Sequence, residues 1–139
     1  MNKKLESSWW LLRIGLGAAP MLAGLDKIFR LNLLADWPSY ISPLAAAVLP
    51  MDGAAFMQIV GVIEVIAGLA VLTFATRLGA YVVAAWLTAI AVNLITTGHY
   101  FDVAVRDLLL AIAAYALARL TEAREETAVP ASRAISVTA

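Results

Sequence analysis

The sequence predicts an all-α membrane protein: a four-transmembrane-helix antiparallel bundle with an interfacial first loop. Hydrophobic residues make up 63% of the 139 residues, charged residues make up only 14%, and the mean hydropathy is +0.85. A soluble domain cannot bury so much apolar surface. Because one helical span needs about 20 apolar residues, a chain of this length has room for about four spans with short connections.

The first predicted span covers residues 9–29 and carries a charged residue, Arg13, near its start. It follows Met-Asn-Lys-Lys, which is also how a signal peptide opens, but Arg13 interrupts the apolar core that such a peptide needs. We therefore expect a retained helix. Residues 30–53 contain three prolines and two aromatic residues, and this composition predicts a loop at the membrane surface.

Three further spans are predicted at residues 54–74, 78–95 and 103–120. The connections between them are so short that consecutive helices must run antiparallel. Residues 1–121 then form one membrane bundle. Residues 122–139 lack a periodic apolar face, so we expect a mostly disordered cytoplasmic tail.

The positions of Lys and Arg predict the orientation, since positive residues are retained on the cytoplasmic side of a membrane. With four spans, the basic residues outside the membrane lie together with both termini, and only Lys27 and Arg30 lie opposite them. Both termini are therefore expected in the cytoplasm.

Charge and cysteine content exclude several classes of function. Ten basic residues balance ten acidic ones, so no basic surface indicates a nucleic-acid partner. The chain has no cysteine and a single histidine, which rules out a disulfide or a thiolate metal site and leaves too few ligands for a haem or transition-metal site. No metal and no intrinsic cofactor are predicted.

Glu64 is the first candidate site residue, because a carboxyl group inside an apolar span is costly and needs a reason. By helical rise it lies about 15 Å into its span. It shares one helical face with Gln58, Gly61 and Gly68. Small residues let helices approach closely in lipid, so Glu64 is expected to face another helix.

The remaining candidates share helical faces with small residues or occupy span ends. In the first span, Arg13 and Lys27 lie on one face with Gly17, Pro20 and Gly24, and in the last span an Arg-Asp pair lies near the membrane surface. Glu64 should lie between the arginines of the first and last spans, each offset by roughly 10 Å along the membrane normal. No catalytic residue is predicted, and the candidate ligand-binding or proton-handling residues are Glu64, Arg106, Asp107, Asn93, Arg13 and Lys27.

Three segments carry short motifs: an Arg, Gly and Gly-x-x-Lys pattern at residues 13–17 and 24–27, Glu-x-x-x-Gly at residues 64–68, and the start of the last span at residues 101–107. In this order they resemble the opening, the second helix and the start of the last helix of the DoxX family of small four-helix bacterial membrane proteins. The resemblance implies a multi-pass protein of the bacterial cytoplasmic (inner) membrane. It also implies a link to quinone-coupled sulfur oxidation or to thiol and oxidative-stress complexes, although the missing cysteines argue against a direct thiol role.

Three functions remain open on the sequence. The first is a non-catalytic accessory subunit that binds a quinone or lipid near Glu64 and docks to a membrane or peripheral redox enzyme. The second is a small proton-coupled transporter in which Glu64 alternately binds a proton and a substrate. The third is a membrane scaffold whose charges only fix helix order. Membrane lipid is a further expected partner, and a homo-oligomer formed with a second copy of the chain also remains open.

Overall fold

Helices make up most of the residues that this computed structural model describes, which are residues 1–137 for the backbone and residues 1–129 for the side chains. No strand occurs in this described part, so the predicted all-α class is confirmed. The helices are α1 (Lys3–Ile28), a 3-10 turn (Trp37–Tyr40), α2 (Pro43–Val48), α3 (Gly53–Leu72), α4 (Thr76–Thr96) and α5 (Phe101–Val137).

Side-chain caps determine where the first three helices begin. The Asn2 side chain accepts hydrogen bonds from two backbone amides in the first turn of α1. Ser42 caps α2 in the same way, and Asp52 caps α3. Each cap satisfies backbone N–H groups that the helix leaves without an internal partner.

Helices α1 and α3 pack along stripes of small residues, as their spacing predicts. A Cβ atom added to Gly24 would lie 2.5 Å from the Gly61 carbonyl oxygen, and one added to Gly68 would lie 2.5 Å from the Gly17 carbonyl oxygen. The two backbones therefore touch at both crossing points, and the order of the contacts is antiparallel. Close approach of this kind is how helices associate where water expulsion gives no driving force.

Helices α4 and α5 form the second pair, which packs against the first through a shared apolar cluster. Arg77 of α4 bonds to Glu125 of α5 at 2.8 Å, and Tyr81 donates to Glu122 at 2.8 Å, so this pair is also antiparallel. The cluster that joins the two pairs consists of Trp9, Leu16, Ala67, Val71, Ala80, Val83, Ala114, Leu117 and Ala118.

Helix α5 continues well beyond its predicted span. The Trp9 indole N–H donates to the Thr121 hydroxyl at 2.8 Å, and Arg124 pairs with Glu6 of α1 at 2.8 Å. The described backbone is helical to Val137, which includes most of the segment expected as a mostly disordered tail, while residues 138 and 139 lie outside the described residues. The segment lacks an apolar face, but the side chains of Glu122, Arg124 and Glu125 have partners on α1 and α4.

Helices α3 and α4 are each long and apolar enough to cross a membrane, judged by length and composition within the described residues. Helices α1 and α5 carry charged residues inside their predicted spans. Large aliphatic side chains are nevertheless exposed on the outer faces of all the long helices, for example Leu22, Ile66, Val92 and Ile112.

Candidate functional site

A cavity of about 820 Å³ lies between the α1–α3 pair and the α4–α5 pair. Its walls come from all the long helices and from the loop between α1 and α3. Most of the lining is apolar, with the polar side chains gathered toward the loop. The polar and aromatic groups at this end are Lys27, Trp37, Tyr40, Glu64, Trp86, Asn93, Arg106 and Asp107.

A buried ion pair between Lys27 and Glu64 lies at the centre of the polar end. The Lys27 Nζ atom is 2.7 Å from Glu64 Oε2, and the two side chains are only 5% and 7% exposed. The Lys27 ammonium also lies 3.7 Å from the centroid of the Trp37 ring, within cation–π distance. Both charges belong to the facing small-residue stripes of α1 and α3, which bring them together.

The Trp86 indole N–H lies near Glu64 but forms no hydrogen bond among the described residues. Its Nε1 atom is buried and has no hydrogen-bond partner among the described residues. The indole nevertheless lies close enough to Glu64 to interact with its carboxyl group. A buried N–H donor without an acceptor is costly, so this position favours an incoming oxygen atom.

Asp26 holds the loop over the cavity. It is 4% exposed. Its carboxylate accepts hydrogen bonds from the Trp37 indole N–H at 2.6 Å and from the backbone amides of Leu33 and Leu34 at 3.0 and 3.2 Å. These bonds fix the Trp37 ring above Lys27.

Asn93 fixes the other part of the loop. Its side-chain oxygen accepts from the Ser42 amide at 3.1 Å, and its side-chain nitrogen donates to the Tyr40 carbonyl at 2.7 Å. The Tyr40 ring packs against Tyr100 with centroids 4.5 Å apart. Burial raises the pKa of the Tyr40 phenol above its usual range. Asn93 therefore lines the cavity, but both of its polar atoms serve the loop.

Arg106 and Asp107 lie at the edge of the cavity, on α5. Arg106 is exposed and Asp107 is half-buried. Neither forms an ion pair within 4.0 Å among the described side chains. Asp107 still feels the charges of Arg106, Glu64 and Lys27, so these groups share one electrostatic environment.

Arg13, expected at an offset of roughly 10 Å from Glu64, does not line this cavity. Its guanidinium donates to the carbonyls of Val71, Leu72 and Thr73, which end α3, and it stacks on the Trp9 ring. Arg13 thus caps a helix C-terminus, where a cation is favourable. The antiparallel packing brings Arg13, near the start of α1, to the end of α3. Lys27, near the end of α1, therefore lies beside Glu64, in the middle of α3.

The structure brings Glu64, Lys27, Asn93, Arg106 and Asp107 to one cavity and leaves Arg13 out of its lining. Sequence reasoning did not assign Asp26, Trp37 or Trp86 to the site. A weak signal existed for Trp86, which shares a helical face with Asn93. No sequence signal places the Trp37 ring on Lys27, because a loop conformation decides it.

The family assignment rests on a comparison with family models. The model of the DoxX family matches residues 8–98, which is more than half of the chain. The match contains α3, α4 and the part of α1 from residue 8 onward, and with them Lys27, Glu64 and Asn93. No curated protein and no solved structure shows significant similarity to the chain. The family match confirms the resemblance seen in the sequence, and the chain belongs to the DoxX family.

Proposed function

We propose that this membrane protein is a non-catalytic accessory module of a membrane redox system and binds a quinone or a lipid in the cavity between its helix pairs. The observation that carries the proposal is the combination, in one largely apolar cavity, of a buried Lys27–Glu64 pair and the unpartnered Trp86 N–H. Ligand sites of this size are typically apolar, with a few convergent polar groups.

The polar groups supply both kinds of hydrogen-bond partner that such a ligand needs. Lys27 and Trp86 are donors, which suit the carbonyl oxygen of a quinone or of a lipid head. The Glu64 carboxylate is an acceptor, which suits a hydroxyl group such as that of a reduced quinone. The apolar remainder of the cavity suits a ring or a hydrocarbon chain.

The proposal includes a four-span topology in the bacterial inner membrane with both termini in the cytoplasm. Exposed aliphatic side chains make the outer faces of α1 and α5 as apolar as those of α3 and α4. This supports the four-span topology. The positions of the charges also support it: those of α1 and α5 cap a helix, face a partner or lie near a span end.

The experiment is an equilibrium titration of the full chain, reconstituted in lipid nanodiscs, with a short-chain quinone in its oxidised and reduced forms. Binding is followed by quenching of tryptophan fluorescence, and organic extraction with mass spectrometry identifies molecules that copurify. Glu64→Gln should weaken binding of the reduced form about tenfold, since one hydrogen bond to a charged acceptor is lost. The matched control, Glu125→Gln, makes the same chemical change in an exposed ion pair and should bind normally.

Two results would contradict the proposal. One is that the wild-type chain binds neither form of the quinone and copurifies with no lipid beyond the bulk composition. The other is that Glu125→Gln, which changes only an exposed ion pair, weakens quinone binding as much as Glu64→Gln does, which would favour the scaffold.

A proton-coupled transporter is the second candidate, favoured by the two carboxyl groups, Glu64 and Asp107, that share the cavity and interact electrostatically. Uptake of a labelled solute into vesicles, driven by a pH gradient and abolished by Glu64→Gln, would select this function. The Lys27 partner argues against it, because a carboxylate already paired at 2.7 Å has less freedom to exchange a proton for a substrate.

A further inference from the structure

The cavity is elongated and has a polar end and an apolar end. On α1 its lining extends from Leu12 to Lys27, which is about 22 Å at a rise of about 1.5 Å per residue. Lys27 and Glu64 lie toward the loop end, while Leu12 and Ala113 lie toward the opposite end. The shape favours a ligand with an oxygen-bearing head and one apolar chain. This inference rests on the proposed function.

Packed protein covers both ends of the cavity, apart from the exposed Leu34 side chain of the loop. The loop covers the polar end, where Asp26 and Asn93 hold it through the hydrogen bonds described above. The apolar cluster around Trp9 and Leu117 closes the other end, and Trp9 is bonded there to Thr121. A ligand that entered along the bundle axis would have to break one of these sets of contacts.

The side of the cavity between α1 and α5 is open by contrast. Residues of both helices line the cavity and are also exposed: Gly15 and Ala19 on α1, and Arg106 and Leu110 on α5. A Cβ atom added to Gly15 would meet nothing within 4 Å. Gly15 therefore differs from Gly17, Gly24, Gly61 and Gly68, whose missing side chains are needed for helix contact.

We propose that the gap between α1 and α5, bordered by Gly15 and Ala19 on one side and by Leu110 and Arg106 on the other, is a lateral entrance from the bilayer. A molecule with a carbonyl-bearing head and a single apolar chain passes through it directly from the lipid phase. Its head comes to rest near Trp86 and Lys27, and its chain lies along the apolar part of the cavity.

The test narrows the entrance with a side chain that the fold can accommodate. Gly15→Phe, in the full chain in nanodiscs, is compared with Leu11→Phe, which changes a 73% exposed residue of the same helix that does not line the cavity. The probes are a short-chain quinone and a free fatty acid, each added by stopped flow. Gly15→Phe should lower the association rate about tenfold or more at unchanged melting temperature, and Leu11→Phe should not.

The two probes distinguish the source of the ligand. If Gly15→Phe slows the association of the quinone alone, the entrance serves quinones. If it slows the association of the fatty acid alone, the entrance serves lipids. Ala19→Leu is the second variant at the same edge, should Gly15→Phe fail to fold.

The two proposals fail in different ways. If the wild-type chain binds neither probe, the proposed function is overturned and the entrance with it. If the wild type binds and the folded Gly15 and Ala19 variants bind at the wild-type rate, the lateral entrance alone is overturned.

Discussion

The buried Lys27–Glu64 pair predicts an unequal cost for removing its two members. Breaking a buried ion pair by deleting one partner costs about 3–5 kcal/mol, because an uncompensated charge stays behind. Both side chains are less than a tenth exposed, so this range applies to them. What differs is the environment that each remaining charge keeps.

Lys27 keeps a favourable partner when Glu64 is replaced. Its ammonium lies 3.7 Å from the centroid of the Trp37 ring, and a desolvated cation–π contact contributes about 2 kcal/mol. Glu64 keeps only the imperfectly placed Trp86 N–H when Lys27 is replaced. We therefore expect Lys27→Met to lower the free energy of unfolding by about 3–5 kcal/mol and Glu64→Gln by about 1–3 kcal/mol.

The measurement is reversible unfolding in mixed micelles of mild detergent and dodecyl sulfate, followed by far-ultraviolet circular dichroism. The double variant Lys27→Met/Glu64→Gln should lose less than the sum of the two single losses, since it leaves no uncompensated buried charge behind. In the Glu64→Gln background, Trp37→Leu should lower the free energy of unfolding further, because it removes the aromatic ring that contacts the Lys27 ammonium. Trp37→Phe keeps an aromatic ring there and should lower it less.

Equal costs for the two single variants, or a larger cost for Glu64→Gln, would refute the reasoning. Strict additivity in the double variant would show that the two charges do not stabilise each other across the 2.7 Å contact.

Three further predictions concern packing, capping and the loop. Gly24→Ala should destabilise by about 1–3 kcal/mol because its Cβ meets a backbone oxygen at 2.5 Å, while Gly15→Ala should be neutral or slightly stabilising; thermal unfolding of both variants compares them. Arg13→Gln should cost about 1–3 kcal/mol of unfolding free energy through the lost carbonyl partners at the end of α3, yet leave quinone binding unchanged in the same titration. Asn93→Ala should free the loop, seen as protease cleavage between α1 and α3 at least about tenfold faster than in the wild type.

Much of the arrangement could be predicted from residue spacing alone. Glycines seven residues apart, Gly17 and Gly24 on α1 and Gly61 and Gly68 on α3, identify the faces on which these helices meet, and helical spacing places Lys27 and Glu64 on those faces. The family resemblance also followed from the order of short motifs, and the family match confirms it.

The register between the helices could not be predicted in the same way. Arg13 and Lys27 lie on one face of α1, and the spacing does not say which of them meets Glu64. The glycine contacts decide this, because they fix how far α1 slides along α3. The loop presents the same difficulty: Asp26, next to Lys27 in sequence, brings Trp37 over the ion pair through bonds that no periodicity encodes.

Composition and periodicity by themselves thus determined a helical membrane protein with charged residues held between helices, because apolar content and helical spacing are local properties of the chain. Only the tertiary structure decided which charges pair, which glycines are packed and which one faces open space. Those outcomes depend on contacts between residues far apart in sequence, and a single shift of one helix along another would change them all.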